Sequence, residues 1–195
     1  MPVNAATEPF VSIPAEGVEI YTAPIATDGS RGSRREAEKA ATARLVTTQF
    51  GPGATVAHSP DGAPRLILPD TATTAPEISI SHSLHTVALA VGRAGRPIGV
   101  DIELPRQQLV RVAARFLAPE EIPIHGADEE SLLRAWTAKE AAFKAAGIVG
   151  LTLADIRLDA TASRAMIPSS PSVDIRLSHF PGPDGSLIAL AIRGK

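Results

Sequence analysis

An α+β fold built from two similar halves, residues 1–97 and 98–195, is what this sequence predicts. The helix-like stretch SRREAEKAATARLV from Ser33 can be laid on SLLRAWTAKEAAFK from Ser131. Ser81-His82 followed by TVALAV resembles Ser178-His179 followed by LIALAI. Both offsets are close to half of the 195 residues, so helix and then strands occur twice.

The elements follow in order. Gly17–Thr22 reads as a strand. From Ser33 a helix runs to the breaker GPG at 51–53, with Ser33 as N-cap and Glu36 completing a capping box. Thr55–His58 and RLIL at 65–68 are short strands around the turn SPDGAP. ISISHS alternates, TVALAV is a buried strand, GRAGRP turns, and IGVDIE at 98–103 alternates again. QLVRVAARFLA is a helix, and Pro119-Glu120-Glu121 opens a short turn or helix. EESLLRAWTAKEAAFKAA is the clearest helix, closed by Gly147. Strands are expected near Asp155–Leu158, Val173–Leu177 and Leu187–Ile192.

Composition narrows the function classes. With 44% hydrophobic residues the chain can bury a substantial core. Only 4% are aromatic, so that core is built of small aliphatic side chains. A net charge of −2 leaves no polybasic footprint for nucleic acid. The absence of cysteine removes disulfides and thiolate metal sites. No apolar run has membrane-spanning length, and MPVNAATEPF lacks the layout of a signal peptide. A cytoplasmic protein with no membrane partner is expected.

The chemistry starts at IGVDIE. Asp101 and Glu103 share one face of a strand, about 6–7 Å apart. Alone, such a pair is usually a solvated face. On the helix from Ser131, Trp136, Glu140 and Lys144 are spaced four apart and form one stripe. If that stripe faces the strand, three carboxylates converge with a lysine one turn beyond. Oxygen-only ligands favour Mg²⁺ or Mn²⁺ and leave coordination positions for phosphate oxygens. His82 and His85 find no third zinc ligand at suitable spacing.

Together, ISISHS (78–83), GVDIE (99–103) and WTAKEAAFKA (136–145) resemble the 4′-phosphopantetheinyl transferases, in order as well as in spacing. The resemblance is close over about residues 60–160 and loose before them. It implies the family's two-half, pseudo-dimeric fold with one active site, and a monomer. Thr42 falls where Glu140 falls in the second half, which agrees with a single site. The implied reaction moves the 4′-phosphopantetheine arm of coenzyme A onto a serine of an acyl or peptidyl carrier protein and releases 3′,5′-ADP. The alternative is an inactive relative that binds coenzyme A or a carrier.

By the same resemblance, Asp101 and Glu140 look like direct Mg²⁺ ligands, and Glu103 is similar to the third acid, binding directly or through water. Glu140 or a metal-bound water would take the serine proton. Lys144 and Lys139 resemble the family's helix lysines, with Lys144 contacting the pyrophosphate. His82, with Ser81 or Ser83, resembles the phosphate-contacting pair. Trp136 is expected to pack and orient its helix. The family's G-K-P turn is here Gly62-Ala63-Pro64-Arg65, so Arg65 stands in for the lysine. Arg34, Arg35 and Arg44 are candidates for the 3′-phosphate. Arg111 and Arg115, with Phe116 and Leu117, are expected to dock an acidic carrier; a solvated face over a buried Phe116 is the equal alternative.

Overall fold

The computed structural model describes residues 9–13, 17–26, 31–70, 72–169 and 171–194. The stretch Met1–Glu8, on which part of the leader reading rests, lies outside them. The chain runs through β1 (Pro9–Ile13), β2 (Val18–Pro24), α1 (Arg31–Phe50), β3 (Thr55–His58), β4 (Pro64–Ile67), β5 (Glu77–His82) and β6 (Thr86–Gly92). It continues through β7 (Ile98–Glu103), α2 (Gln108–Phe116), α3 (Ile122–His125), α4 (Glu129–Ala146), β8 (Arg157–Leu158), β9 (Arg164–Ile167), β10 (Val173–Pro181) and β11 (Leu187–Arg193).

Two antiparallel sheets form, in the orders β1-β2-β6-β5 and β7-β11-β10-β9-β8, beside the β3–β4 hairpin. Strand alternation decides what each sheet faces. Val18, Ile20, Ala88 and Ala90 of the first sheet meet Ile98, Val100, Ile102, Ile188, Leu190 and Ile192 of the second in one apolar core between the sheets. The opposite face of the first sheet buries Tyr21, Val87 and Leu89 against Ala41, Leu45 and Val46 of α1. The opposite face of the second buries Ile175, Leu177, Ala189 and Ala191 against Ala138, Ala141, Ala142 and Ala145 of α4. The layers are therefore helix, sheet, sheet, helix. The run β2-α1-β3-β4-β5-β6 reads strand, helix, two short strands, antiparallel pair, and β7 to β11 follows the same order with α2 and α3 inserted between β7 and α4.

The alanine-rich face of α4 allows an unusually close approach. A Cβ built on Gly99 would lie 2.0 Å from the Ala141 carbonyl oxygen and 2.8 Å from the Ala145 nitrogen, so α4 rests on bare β7 backbone. Asp128 caps α4, accepting from Ser131 N–H at 2.8 Å, and Glu129 and Glu130 complement its positive end. Gly147 closes it with φ 59°.

Three details depart from the sequence expectations. The first helix begins by Arg31, so Ser33 is inside it and is no N-cap. The strand expected near Asp155–Leu158 is mostly a 3₁₀ turn, Leu153–Asp155, and only Arg157–Leu158 pairs as strand. The strands β1 and β9 were not expected. Each lies beside a partner strand that supplies its hydrogen bonds, and their short sequences carry no clear alternation.

Candidate active site

The site grows from β7. Ile98, Val100 and Ile102 point into the core between the sheets, which turns Gly99, Asp101 and Glu103 to the α4 side. Across from them the α4 stripe presents Trp136, Glu140 and Lys144. Lys144 Nζ donates to Asp101 Oδ1 at 2.8 Å and to the Val100 carbonyl at 2.9 Å. Ser81, at the end of β5, donates its hydroxyl to the same Asp101 Oδ1 at 2.7 Å. Nearby, Ser79 Oγ accepts from Val100 N–H at 2.9 Å, which stitches the β5 edge to β7. Asp101 is 4% exposed, and its second oxygen, Oδ2, is buried without a hydrogen-bond partner. An orphaned carboxylate oxygen in a buried place is costly unless something positive completes it.

Glu103 is held from two sides. Trp136 Nε1 and Arg106 each donate to its Oε1 at 2.8 Å. The Trp136 ring is fixed by Phe116, edge-on at 5.1 Å, and by the Arg106 guanidinium 5.2 Å above it. Burial pushes the Glu103 carboxyl above its usual range, the Trp136 hydrogen bond opposes this, and the charge of Asp101 adds to it. Glu140 is raised as well, first by burial and then by Asp101, with Lys144 pulling down and Glu103 pushing up. Glu103 and Glu140 therefore both feel the charge of Asp101, and added positive charge would lower both. Among the described residues, no three His, Asp or Glu side chains are already drawn together as a metal cage. Lys144 and Arg106 hold Asp101 and Glu103 instead. An orphaned Asp101 oxygen and two carboxyls raised first by burial and then by the charge of Asp101 form a donor set of the chemistry a hard divalent cation takes.

His82 stands at the tip of β5, its Nε2 3.1 Å from Thr42 Oγ1. Thr42 already donates its only proton to the Glu38 carbonyl at 2.8 Å, so His82 Nε2–H is the donor and Nδ1 the acceptor. Partial burial lowers its pKa most; Glu38 opposes, and Lys144 and Arg34 lower it further. The charges of both Lys144 and Arg34 reach the β5 tip. Ser83 is buried in the β5–β6 turn with its hydroxyl toward the Thr86 carbonyl at 3.4 Å. Of Ser81-His82-Ser83, only His82 is exposed.

Other expected residues lie elsewhere. Lys139 is fully buried on another flank of α4, ion-paired with Glu121 at 2.6 Å, and is not brought to the acids. Burial pulls its pKa down, and Glu121 pulls it back. Arg65 is exposed on the β3–β4 hairpin, with Asp61 as its charged neighbour. Arg34 bonds Glu38 at 2.9 Å and the Ser83 carbonyl at 3.2 Å, which places it beside the His82 turn. Arg44 bonds the Pro24 carbonyl at 2.9 Å, and Arg35 is exposed. Phe116 and Leu117 are buried at 1% and 2% exposure, so neither offers a docking surface. Arg111 and Arg115 are exposed on α2, with Val110 beside them. Sequence reasoning missed the roles of Arg106, Gly99 and Glu121. A glycine inside a strand pattern signals close backbone approach and pointed to Gly99; Arg106 and Glu121 left no such signal.

Two comparisons with known proteins fit this picture. Residues 97–183 match the family model of the 4′-phosphopantetheinyl transferase superfamily. A protein of Synechocystis sp. (strain ATCC 27184 / PCC 6803 / Kazusa), whose own name gives 4′-phosphopantetheinyl transferase as a proposed activity, is 33% identical over 97 residues. That match covers 46% of this chain and 38% of the relative, so the chain spans well under half the length of the relative it matches. The family resemblance read from the sequence is thus found over the carboxy-terminal half, which contributes Asp101, Glu103, Glu140 and Lys144. No helix among the described residues is long and apolar enough to cross a membrane.

Proposed function

We propose that this protein transfers the 4′-phosphopantetheine arm of coenzyme A to a serine of an acyl or peptidyl carrier protein, releasing 3′,5′-ADP with the help of Mg²⁺. The observation that carries the reading is the Lys144–Asp101 bond, with Asp101 Oδ2 buried and unpartnered and with Glu103 and Glu140 near enough to feel the Asp101 charge. In this reading Asp101, Glu103 and Glu140 hold the metal, with Mn²⁺ as a possible substitute. When bound, Mg²⁺ supplies neutralisation of the pyrophosphate charge and of the charge developing on the transferred phosphoryl group.

The protein's own side chains do the rest. Lys144 uses two of its three donors on Asp101 and Val100, which leaves one for the pyrophosphate. Ser81 spends its proton on Asp101 and orients that carboxylate rather than the substrate. His82 offers Nδ1 toward the nucleotide end, with Arg34 next to it. In this reading Glu140 takes the proton of the incoming serine. Trp136 and Arg106 hold Glu103 in place. The repeated element order and the position of the acids at the seam of β5, β7, α1 and α4 support a pseudo-dimer of halves 1–97 and 98–195 with one site, in a monomeric protein.

Intact-mass spectrometry of an apo carrier incubated with coenzyme A, Mg²⁺ and the protein tests the proposal. The carrier gains one phosphopantetheine arm, and Glu140→Gln or a chelator abolishes the gain. No gain over acyl and peptidyl carriers alike, with coenzyme A still bound in calorimetry, would instead make the protein a binder.

A further inference from the structure

Lys139 precedes Glu140 on α4 and stands about 100° from it around the helix axis. Its ammonium is fully buried, and all three of its donors are spent. Nζ lies 2.6 Å from Glu121 Oε2, 2.6 Å from the Ile156 carbonyl and 3.2 Å from the Leu153 carbonyl. Glu121, 3% exposed, is equally saturated. It accepts from Ala118 N–H at 2.8 Å and from Leu158 N–H at 2.7 Å. The pair thus ties α4 to the segment after α2, to the 3₁₀ turn and to β8. On the opposite flank, about 200° round from Lys139, Ala141 rests on Gly99. The helix is gripped from two sides, and Glu140 lies between the grips.

We propose that Lys139 is a positioning residue which, through its buried bond to Glu121, fixes the roll of α4 and so aims Glu140 at Asp101, leaving phosphate contact to Lys144. A roll of about 20° would sweep a carboxylate at the helix rim by about 2 Å, enough to remove it from the cluster. Buried ion pairs add little net stability over apolar replacements but leave a heavy cost when one partner is lost. Their use here is geometric.

The kinetic arm of the test rests on the transferase reading; the optical arm does not. Trp136 is the only tryptophan of the chain and bonds Glu103, so its emission reports the pose of α4 at the site. The variants are Lys139→Met, which leaves Glu121 unpaired, and Lys139→Met with Glu121→Gln, which is neutral and keeps one acceptor oxygen for one of the two N–H groups, Ala118 and Leu158, that bond Glu121. At a temperature where circular dichroism shows both folded, Lys139→Met red-shifts Trp136 emission, lowers Tm by about 10 °C and lowers kcat about tenfold or more. KM for coenzyme A stays within about threefold, because no phosphate contact is lost. The double variant regains part of the Tm, because no buried charge is left uncompensated, but keeps the red-shifted emission and the lowered kcat, because the bond that fixes the roll of α4 is still missing. A rise of about tenfold in KM for coenzyme A in both variants would make Lys139 a substrate contact and overturn the proposal. Unchanged emission in the folded Lys139→Met variant would overturn it too, leaving only a stabilising pair. If the wild type transfers nothing, the reaction reading fails by itself, and the emission of the two variants still decides the role of Lys139.

Discussion

Gly99→Ala adds one methyl group on the face of β7 that carries the acids, and the structure says what it meets. The new Cβ would lie 2.0 Å from the Ala141 carbonyl oxygen, whereas real Cβ contacts stay beyond 3.0 Å. The obstacle is helix backbone, so no side chain can turn aside, and α4 must lift by about 1 Å or tilt. Overpacking of this kind costs about 1–3 kcal/mol, or roughly 2–10 °C in Tm for a protein of this size. The functional loss should exceed the loss of stability. The Lys144–Asp101 bond at 2.8 Å would be stretched past hydrogen-bond range, and Glu140 would leave Asp101 with it. Misplacement by about 1 Å is worth up to about a hundredfold in rate. Thermal unfolding and the carrier mass-gain assay read the two effects separately. Ala141→Gly in the same chain should give no rescue, because the clash is with an oxygen that every residue carries. A Gly99→Ala protein with unchanged Tm and unchanged transfer would refute the claim that close helix–strand contact sets the site.

Trp136→Phe keeps a ring between Phe116 and Arg106 but removes the donor to Glu103; stability should fall by about 1–2 kcal/mol in urea, with a larger fall in transfer, and equal activity would show that Glu103 needs no such hold. His179, at the end of β10, is pushed down to about 4, first by burial and then by the Arg134 charge on α4, with the Arg134 carbonyl opposing. The folded state therefore binds this proton less readily than the unfolded chain. Its contribution is whole above pH 6.5 and is lost as the pH falls toward 4, up to about 3 kcal/mol for this partly exposed ring. His179→Gln should flatten that part of the urea-stability profile, and an identical slope in both proteins would rule the residue out. Arg111→Glu with Arg115→Glu, both exposed on α2, should raise KM for an acidic carrier about tenfold or more and leave coenzyme A binding unaltered; an unchanged carrier KM would move docking off this face.

Local pattern made much of this protein readable in advance. The alternation of IGVDIE decided which side chains share a face, because strand period is a property of the backbone alone. The four-residue spacing of Trp136, Glu140 and Lys144 did the same for α4. GPG at 51–53 and Gly147 ended their helices where backbone freedom predicts. The motifs of the carboxy-terminal half also carried the family resemblance. What pattern could not supply was partnership over distance. Lys139 and Lys144 are both helix lysines in one motif, yet one is sealed onto Glu121 and the other bonds Asp101. Ser81 and Ser83 are two residues apart, yet only Ser81 meets the acid cluster. Phe116 ends an amphipathic helix and Leu117 follows it, yet the core takes both. Each of these outcomes depends on which element from the other end of the chain arrives opposite, and on how closely. The sequence by itself therefore determined the elements, their faces and the residues capable of the chemistry. Only the tertiary structure, through the approach of α4 to Gly99 and of β5 to β7, decided which of those residues share a site.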